Sequence, residues 1–314
     1  MSNIDRRASQ MKVNLRDEYH VPVMPDEVVW LMRPKQGGVY VDCTLGSGGH
    51  AYRLLEFAGQ GAELIGIDRD QDSILAATQR LERFCDAVSL VHGNFGDLSE
   101  IIENLGISHV DGILFDLGVS SHQLDEAERG FSYMEDGPLD MRMNGNEGQS
   151  AGDLINTLPV EEIAGILKVY GEERWAGRIA EFIVRRRDEM PISTTGELVE
   201  IIKAAIPARA RRAGPHPARR TFQALRIAVN RELDNLEAGL EQAMKVLCRG
   251  GRLVVLSYHS LEDRIVKTAF QDASGARGQG KIRILTRKPL RPCKEEVTAN
   301  PRSRSAKLRA AEKF

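Results

Sequence analysis

Val39-Tyr40-Val41-Asp42-Cys43-Thr44-Leu45-Gly46-Ser47-Gly48-Gly49-His50 starts as an apolar run, closes on a carboxylate and opens into a glycine loop. Val39 to Val41 reads as a buried strand ending at Asp42, and a short helix is expected from about His50 to Ala58. Glycines at such a junction let backbone approach a ligand that side chains would block. The N–H groups that open the helix then face the ligand's anionic end. Working outward, Leu64 to Ile67 is a second strand, ending at Asp68, followed by a helix with Ile74, Ala77, Leu81 and Phe84 on one face. Val88 to Val91 is a third strand, and Val110 to Phe115 a fourth, ending at Asp116. Strands alternating with helices at this spacing predict a doubly wound α/β fold, a parallel sheet with helices on both faces.

The next clear strand, Leu253 to Leu256, follows Gly250-Gly251 and lies more than 130 residues beyond the fourth. A crossover needs roughly a dozen residues plus its helix, so most of this segment is an insertion. Ile163, Ile166, Leu167 and Tyr170 share a helical face, as do Trp175, Ile179, Phe182 and Ile183. Thr194 with Glu197 fits a capping box ahead of Leu198, Ile201 and Ile202. The expected organisation is a first part of the sheet domain over 1–140, a small helical domain over 141–230 and a second part of the sheet domain over 231–314. Phe222, Leu225, Val229, Leu233, Leu236, Leu240, Ala243 and Leu247 form one apolar stripe, which predicts a single continuous helix roughly 40 Å long. A helix from Leu261 to Phe270, a strand from Ile282 to Leu285 and a final antiparallel edge strand from Ala306 to Ala310 complete the expectation.

Apolar residues make up 42% and charged residues 28%, a balance that supports a large core and excludes a disordered chain. No apolar run has the length of a membrane span, and Met1 to Tyr19 lacks the hydrophobic segment of a signal peptide. Cys43, Cys85, Cys248 and Cys293 lie far apart, as do the seven histidines. Neither set has metal-ligand spacing, so no metal is expected, and the thiols read as reduced ones in a cytoplasmic protein. The net charge of −2 hides an asymmetry: residues 1–150 hold 25 acids against 12 bases, the remainder 20 against 31. Arg209 to Arg231 contains seven arginines, Arg277 to Lys294 seven basic residues, and neither stretch an acid. These stretches suit a polyanion such as RNA, or else a solvated basic surface.

Asp42, Asp68 and Asp116 each end a strand, and ligands of open parallel sheets bind outside those ends. A ligand carboxylate is expected near Gly48, Gly49 and His50, ribose hydroxyls at Asp68, and an adenine face under Phe95. Gly46-Ser47-Gly48-Gly49-His50-Ala51 also satisfies the dinucleotide pattern G-x-G-x-x-A. Asp42 argues against that reading, because it would repel a pyrophosphate. It suits a zwitterionic amino-acid cofactor carrying an ammonium and a sulfonium. A methyltransferase, a dinucleotide-dependent oxidoreductase and a purely structural glycine turn all remain open from these residues.

Longer words narrow the choice. They include Asp42-Cys43-Thr44-Leu45-Gly46-Ser47-Gly48-Gly49-His50, Gly66-Ile67-Asp68-Arg69-Asp70, Asp116-Leu117-Gly118-Val119-Ser120-Ser121-His122-Gln123-Leu124-Asp125 and Gly137-Pro138-Leu139-Asp140-Met141-Arg142-Met143. Ser257-Tyr258-His259-Ser260-Leu261-Glu262-Asp263-Arg264 and Asn300-Pro301-Arg302-Ser303-Arg304-Ser305 follow, after His20-Val21-Pro22-Val23 at the start. With these words in this order, the chain resembles the bacterial 16S ribosomal RNA cytosine-N4 methyltransferases of the MraW type. The resemblance implies a class I, Rossmann-like seven-stranded methyltransferase sheet with a helical insertion. It implies S-adenosylmethionine as cofactor, held by Gly48, Gly49, His50, Asp68, Phe95, Asp116 and Gln123. It further implies 16S rRNA of the small ribosomal subunit as partner, with a decoding-centre cytosine as target. The segment between Lys267 and Arg291 is shorter and richer in glycine than in longer family members.

The exocyclic amine of cytosine is a poor nucleophile, so an enzyme must hold it in line with the methyl and accept its N–H bonds. Asp116 is the expected orienting group, with Asp140 and His259 as further candidate proton acceptors. The loop Asp116-Leu117-Gly118-Val119-Ser120-Ser121 has the acid of amine methyltransferases without their prolines and aromatic. Phe131 or Tyr133 could then stack on the base, or serve loop packing. A non-catalytic RNA-binding module is the remaining alternative, and the sequence leaves monomer and dimer open.

Overall fold

Successive residues along the strands enter opposite cores. Tyr40, Leu64, Leu114 and Val254 are buried on one face of a sheet, and Val41, Ile65, Ile113 and Val255 on the other. Burial on both sides is what a parallel sheet covered by helices requires. The computed structural model, which describes residues 21–212, 214–275 and 280–314, shows this sheet to have seven strands in the order β3-β2-β1-β4-β5-β7-β6. They are β1 (Val39–Asp42), β2 (Glu63–Asp68), β3 (Val88–His92), β4 (Val110–Asp116), β5 (Leu247–Ser257), β6 (Ile282–Ile284) and β7 (Lys307–Lys313). β1 to β5 run parallel, and β7 is antiparallel to both β5 and β6. Helices Pro25–Met32, Gly49–Ala58 and Gln71–Arg80 cover one face. Leu98–Asn104, Glu232–Val246 and Ser260–Ala273 cover the other.

The chain builds outward from β1 through β2 to β3, then returns to place β4 on the opposite side of β1. The order reverses between β1 and β4, and their carboxyl ends therefore flank a crevice. The glycine loop lies down onto this edge because Gly66 has no side chain: a Cβ there would come within 2.7 Å of Leu45 Cδ1. Gly48 then turns the chain into helix Gly49–Ala58 with φ +76°, a conformation that costs glycine little.

Between β4 and β5, helices Ala151–Thr157, Val160–Gly171, Ala176–Glu189, Thr195–Ala205 and Arg219–Asn230 enclose a separate core. Phe131, Leu139 and Met141 join that core too. The Thr194–Glu197 capping box is present, with reciprocal bonds of 3.2 Å.

Three expectations change. The apolar stripe from Phe222 to Leu247 is divided at Arg231, which takes φ +50° between helices Arg219–Asn230 and Glu232–Val246. The two halves serve different cores: Phe222 and Leu225 pack in the insertion, Leu236 and Leu240 against the sheet. Asn230, buried at the break, donates to the carbonyls of Met141 (2.7 Å) and Arg226 (3.0 Å) and accepts from Met143 N–H (2.8 Å). The last strand is not at the edge, because β6 pairs along its outer side. Helix Gln71–Arg80 ends before Leu81 and Phe84, where a tighter 3₁₀ turn, Glu82–Ala87, follows.

Replacing Asn230 by Ala strands a part-buried donor at Met143 and a buried acceptor at Met141. The expected loss in unfolding free energy is about 2–4 kcal/mol, read from urea titrations. A variant within about 0.5 kcal/mol of the parent contradicts this account of the helix break.

Candidate active site

A crevice of about 1160 Å³ opens outside the carboxyl ends of β1, β2 and β4. The turn after β5 forms one wall, and Tyr133, Met143, Arg219, Phe222 and Gln223 of the inserted segment form another. Gly49, His50, Asp68, Phe95, Asp116, Gln123 and His259 line it together.

Asp116 is held from three sides. Its peptide N–H donates to Thr44 Oγ1 (2.5 Å), and the Tyr258 hydroxyl donates to its Oδ1 (2.6 Å). His50 Nε2 stands 3.4 Å from its Oδ2. Burial and the neighbouring Asp116 push the Tyr258 phenol well above its ordinary pKa, so Tyr258 remains a donor. His50 is itself buried, and neither ring nitrogen has a hydrogen-bond partner among the described residues. Asp42 is fully buried beneath, accepting from the Thr44 N–H. Burial raises its pKa to about 7 against the opposing influence of His50.

Asp68 holds the glycine loop. Its Oδ2 accepts from Gly46 N–H (2.8 Å) and its Oδ1 from Asp70 N–H (2.9 Å). Burial lifts its pKa to about 6 although both bonds pull the other way. Phe95 leans edge-on against Phe115, with ring centroids 5.4 Å apart. It fits there because Gly239 leaves the space: a Cβ would lie 2.9 Å from the Phe95 ring. Gln123 is buried; its amide donates to Asp70 Oδ2 (2.7 Å) and its carbonyl accepts from Ser120 N–H. Arg129 completes this link at 2.8 Å from Asp70.

The structure does not bring every expected residue together. Gly48 shapes the turn without lining the crevice. Asp140 also lies outside the lining, with both oxygens bound by Arg142 at 2.8 and 2.7 Å. Burial would raise its pKa, yet Arg142 holds it below the usual range. His259 caps helix Ser260–Ala273 and lies 3.2 Å from Glu262. Glu232, His259 and Glu262 place ligand-type atoms within 4.8 Å of one another. Arg226 binds both Glu232 oxygens (2.8 and 2.9 Å) and already supplies positive charge there. Phe131 packs in the insertion core and still lines the crevice, as does Tyr133, whose ring stacks on His216 at 4.7 Å.

Spacing in the sequence does not single out Thr44, Tyr258 or the Arg226–Glu232 pair as members of the site. Thr44 and Tyr258 each follow a strand end, and the pairing of β4 with both β1 and β5 brings both to Asp116. His20 and Arg277 fall outside the described residues. Among those described, no helix is long and apolar enough to cross a membrane.

The sequence profile of the MraW methylase family matches residues 17–314. Two curated relatives carry the name ribosomal RNA small subunit methyltransferase H. The one from Pelobacter propionicus is 53% identical over 308 residues, covering 94% of this chain and 98% of its own. The one from Geobacter sp. strain M21 is 51% identical over 312 residues, covering 96% and 100%. With the match running through the insertion to the last residue, this chain belongs to the MraW methylase family.

Proposed function

We propose that this chain transfers a methyl group from S-adenosylmethionine to the N4 amine of one cytosine in 16S ribosomal RNA, in the decoding centre of the small ribosomal subunit. The observation that carries the reading is the gathering of Asp42, Asp68 and Asp116 around one glycine turn at the sheet's switch point. A pyrophosphate would meet three carboxylates there, whereas an ammonium and a sulfonium would be neutralised by them. When bound, S-adenosylmethionine supplies a methyl group activated by its sulfonium.

The chain's own residues divide the remaining work. The N–H groups that open helix Gly49–Ala58 receive the amino-acid carboxylate. Asp68 accepts the ribose hydroxyls, Phe95 covers the adenine, and Gln123 braces the Asp70 turn beside it. Asp116 accepts an N–H of the target amine; Tyr258 and Thr44 fix its orientation. Exposed Arg209, Arg211, Arg212, Arg287, Lys288 and Arg291 suit the phosphate backbone of the RNA. The names of the curated relatives support ribosomal RNA of the small subunit as substrate.

Tritium transfer from labelled S-adenosylmethionine, assayed on small subunits and on naked 16S rRNA, followed by mass spectrometry of the nucleosides, tests the reading. N4-methylcytidine is expected. Label on another base or ring atom, or on neither substrate, overturns it.

Asp68→Ala should weaken cofactor binding about a hundredfold in calorimetry; unchanged affinity contradicts its ribose role. Asp42 gives a pH signature. Its folded-state pKa of about 7 exceeds the ordinary aspartate value of 3.8, so the native state binds the extra proton between these values. This carboxyl therefore costs increasing stability as pH rises through that window. Asp42→Asn should raise Tm more at about pH 8 than at about pH 5; an equal change at both contradicts the buried-acid account.

A further inference from the structure

Methylation of an amine releases a proton, and the crevice must receive it. We propose that His50 is the proton-holding residue of the reaction: its imidazole takes, through Asp116 Oδ2, the proton that the acceptor amine sheds on methylation. This rests on the proposal above that the chain methylates an exocyclic amine.

The geometry leaves Asp116 one oxygen for this work. Oδ1 is occupied by the Tyr258 hydroxyl, and Oδ2 faces His50 Nε2 at 3.4 Å. His50 is 5% exposed; its Nδ1 has no hydrogen-bond partner among the described residues, and its Nε2 has only the 3.4 Å approach to Asp116. A buried imidazole held only for structure would normally be hydrogen-bonded. The charged and titratable groups acting on it come from every side. Asp42 ends β1, Asp116 ends β4, and Glu296 belongs to helix Lys294–Ala299. Asp68, ending β2, acts on Asp42, and Tyr258, after β5, binds Asp116. Asp42, Asp116 and Glu296 thus supply the acidic groups nearest the ring.

In the transfer, the acceptor nitrogen bonds to the methyl carbon while the carbon–sulfur bond breaks and leaves its electron pair on sulfur. The nitrogen, now carrying the positive charge, gives one proton to Asp116 Oδ2. That proton passes to neutral His50 Nε2, and Asp116 returns to a carboxylate. His50 then stands as an imidazolium between acids until it loses the proton to solvent.

The test is His50→Gln, with the smaller His50→Asn as second variant should the first not fold. Single-turnover methyl transfer is measured at saturating cofactor across about pH 5–8, the range in which imidazoles titrate. S-adenosylhomocysteine affinity is measured by calorimetry alongside, and nitrogen-15 spectra of histidine-labelled parent protein follow the ring. The parent rate should rise with pH, and the His50 ring resonances should change in step with it. The variants should bind within a few-fold of the parent but react about a hundredfold more slowly, without that limb in their pH profile. Variants with the parent's rate and profile, or a loss confined to cofactor affinity, overturn the proposal and leave the methyltransferase reading standing. A parent protein that methylates no amine of small-subunit RNA overturns both.

Discussion

Carboxylates forced into a low-dielectric edge are the constraint on which this molecule depends. The reversal of strand order between β1 and β4 puts Asp42 beneath the crevice, opposite Leu114 and close to Asp116. Burying an acid costs free energy unless it is bonded or neutralised. The chain answers with Thr44, Tyr258 and the imidazole of His50 around these two acids, and with the Gly46 and Asp70 amides around Asp68. The rigid two-faced sheet offsets what is left. The site is thus pre-charged, and a cationic ligand relieves a cost that folding has already incurred.

Much of this was legible because sheet periodicity and glycine punctuation are local signals. Val39 to Asp42, Leu64 to Asp68 and Val110 to Asp116 read as strands, and all three end in acids that line or underlie one crevice. The capping box at Thr194 was readable for the same reason. What escaped depended on distance. The break at Arg231 interrupts no hydrophobic spacing; it exists because consecutive helices face two cores, and Asn230 bonds to residues 89 and 87 positions away. Lys307 to Lys313 has few branched residues, so its place inside the sheet is set by β6 pairing beyond it. Asp140 looked available until its partner, only two residues on, was seen to occupy both oxygens.

Tyr258 shows the same limit within the site. As a residue it is an aromatic after an apolar strand. Only the register of β4 against β5, with Asp116 opposite Leu256, turns it into a hydroxyl aimed at a carboxylate. Function in this fold is written at strand ends, and sequence reading finds the ends more easily than it finds their neighbours.

The insertion also governs how the polypeptide reaches its native state. β4 closes at Asp116 and its neighbour β5 begins only at Leu247, so this pairing has a long loop to close before any contact rewards it. The intervening helices have a core of their own and can collapse early, shortening the effective tether. During synthesis, β1 through β4 emerge first and wait with the Asp116 side of the sheet unpaired. Closing the sheet therefore waits for β5, which follows the whole helical segment in the chain.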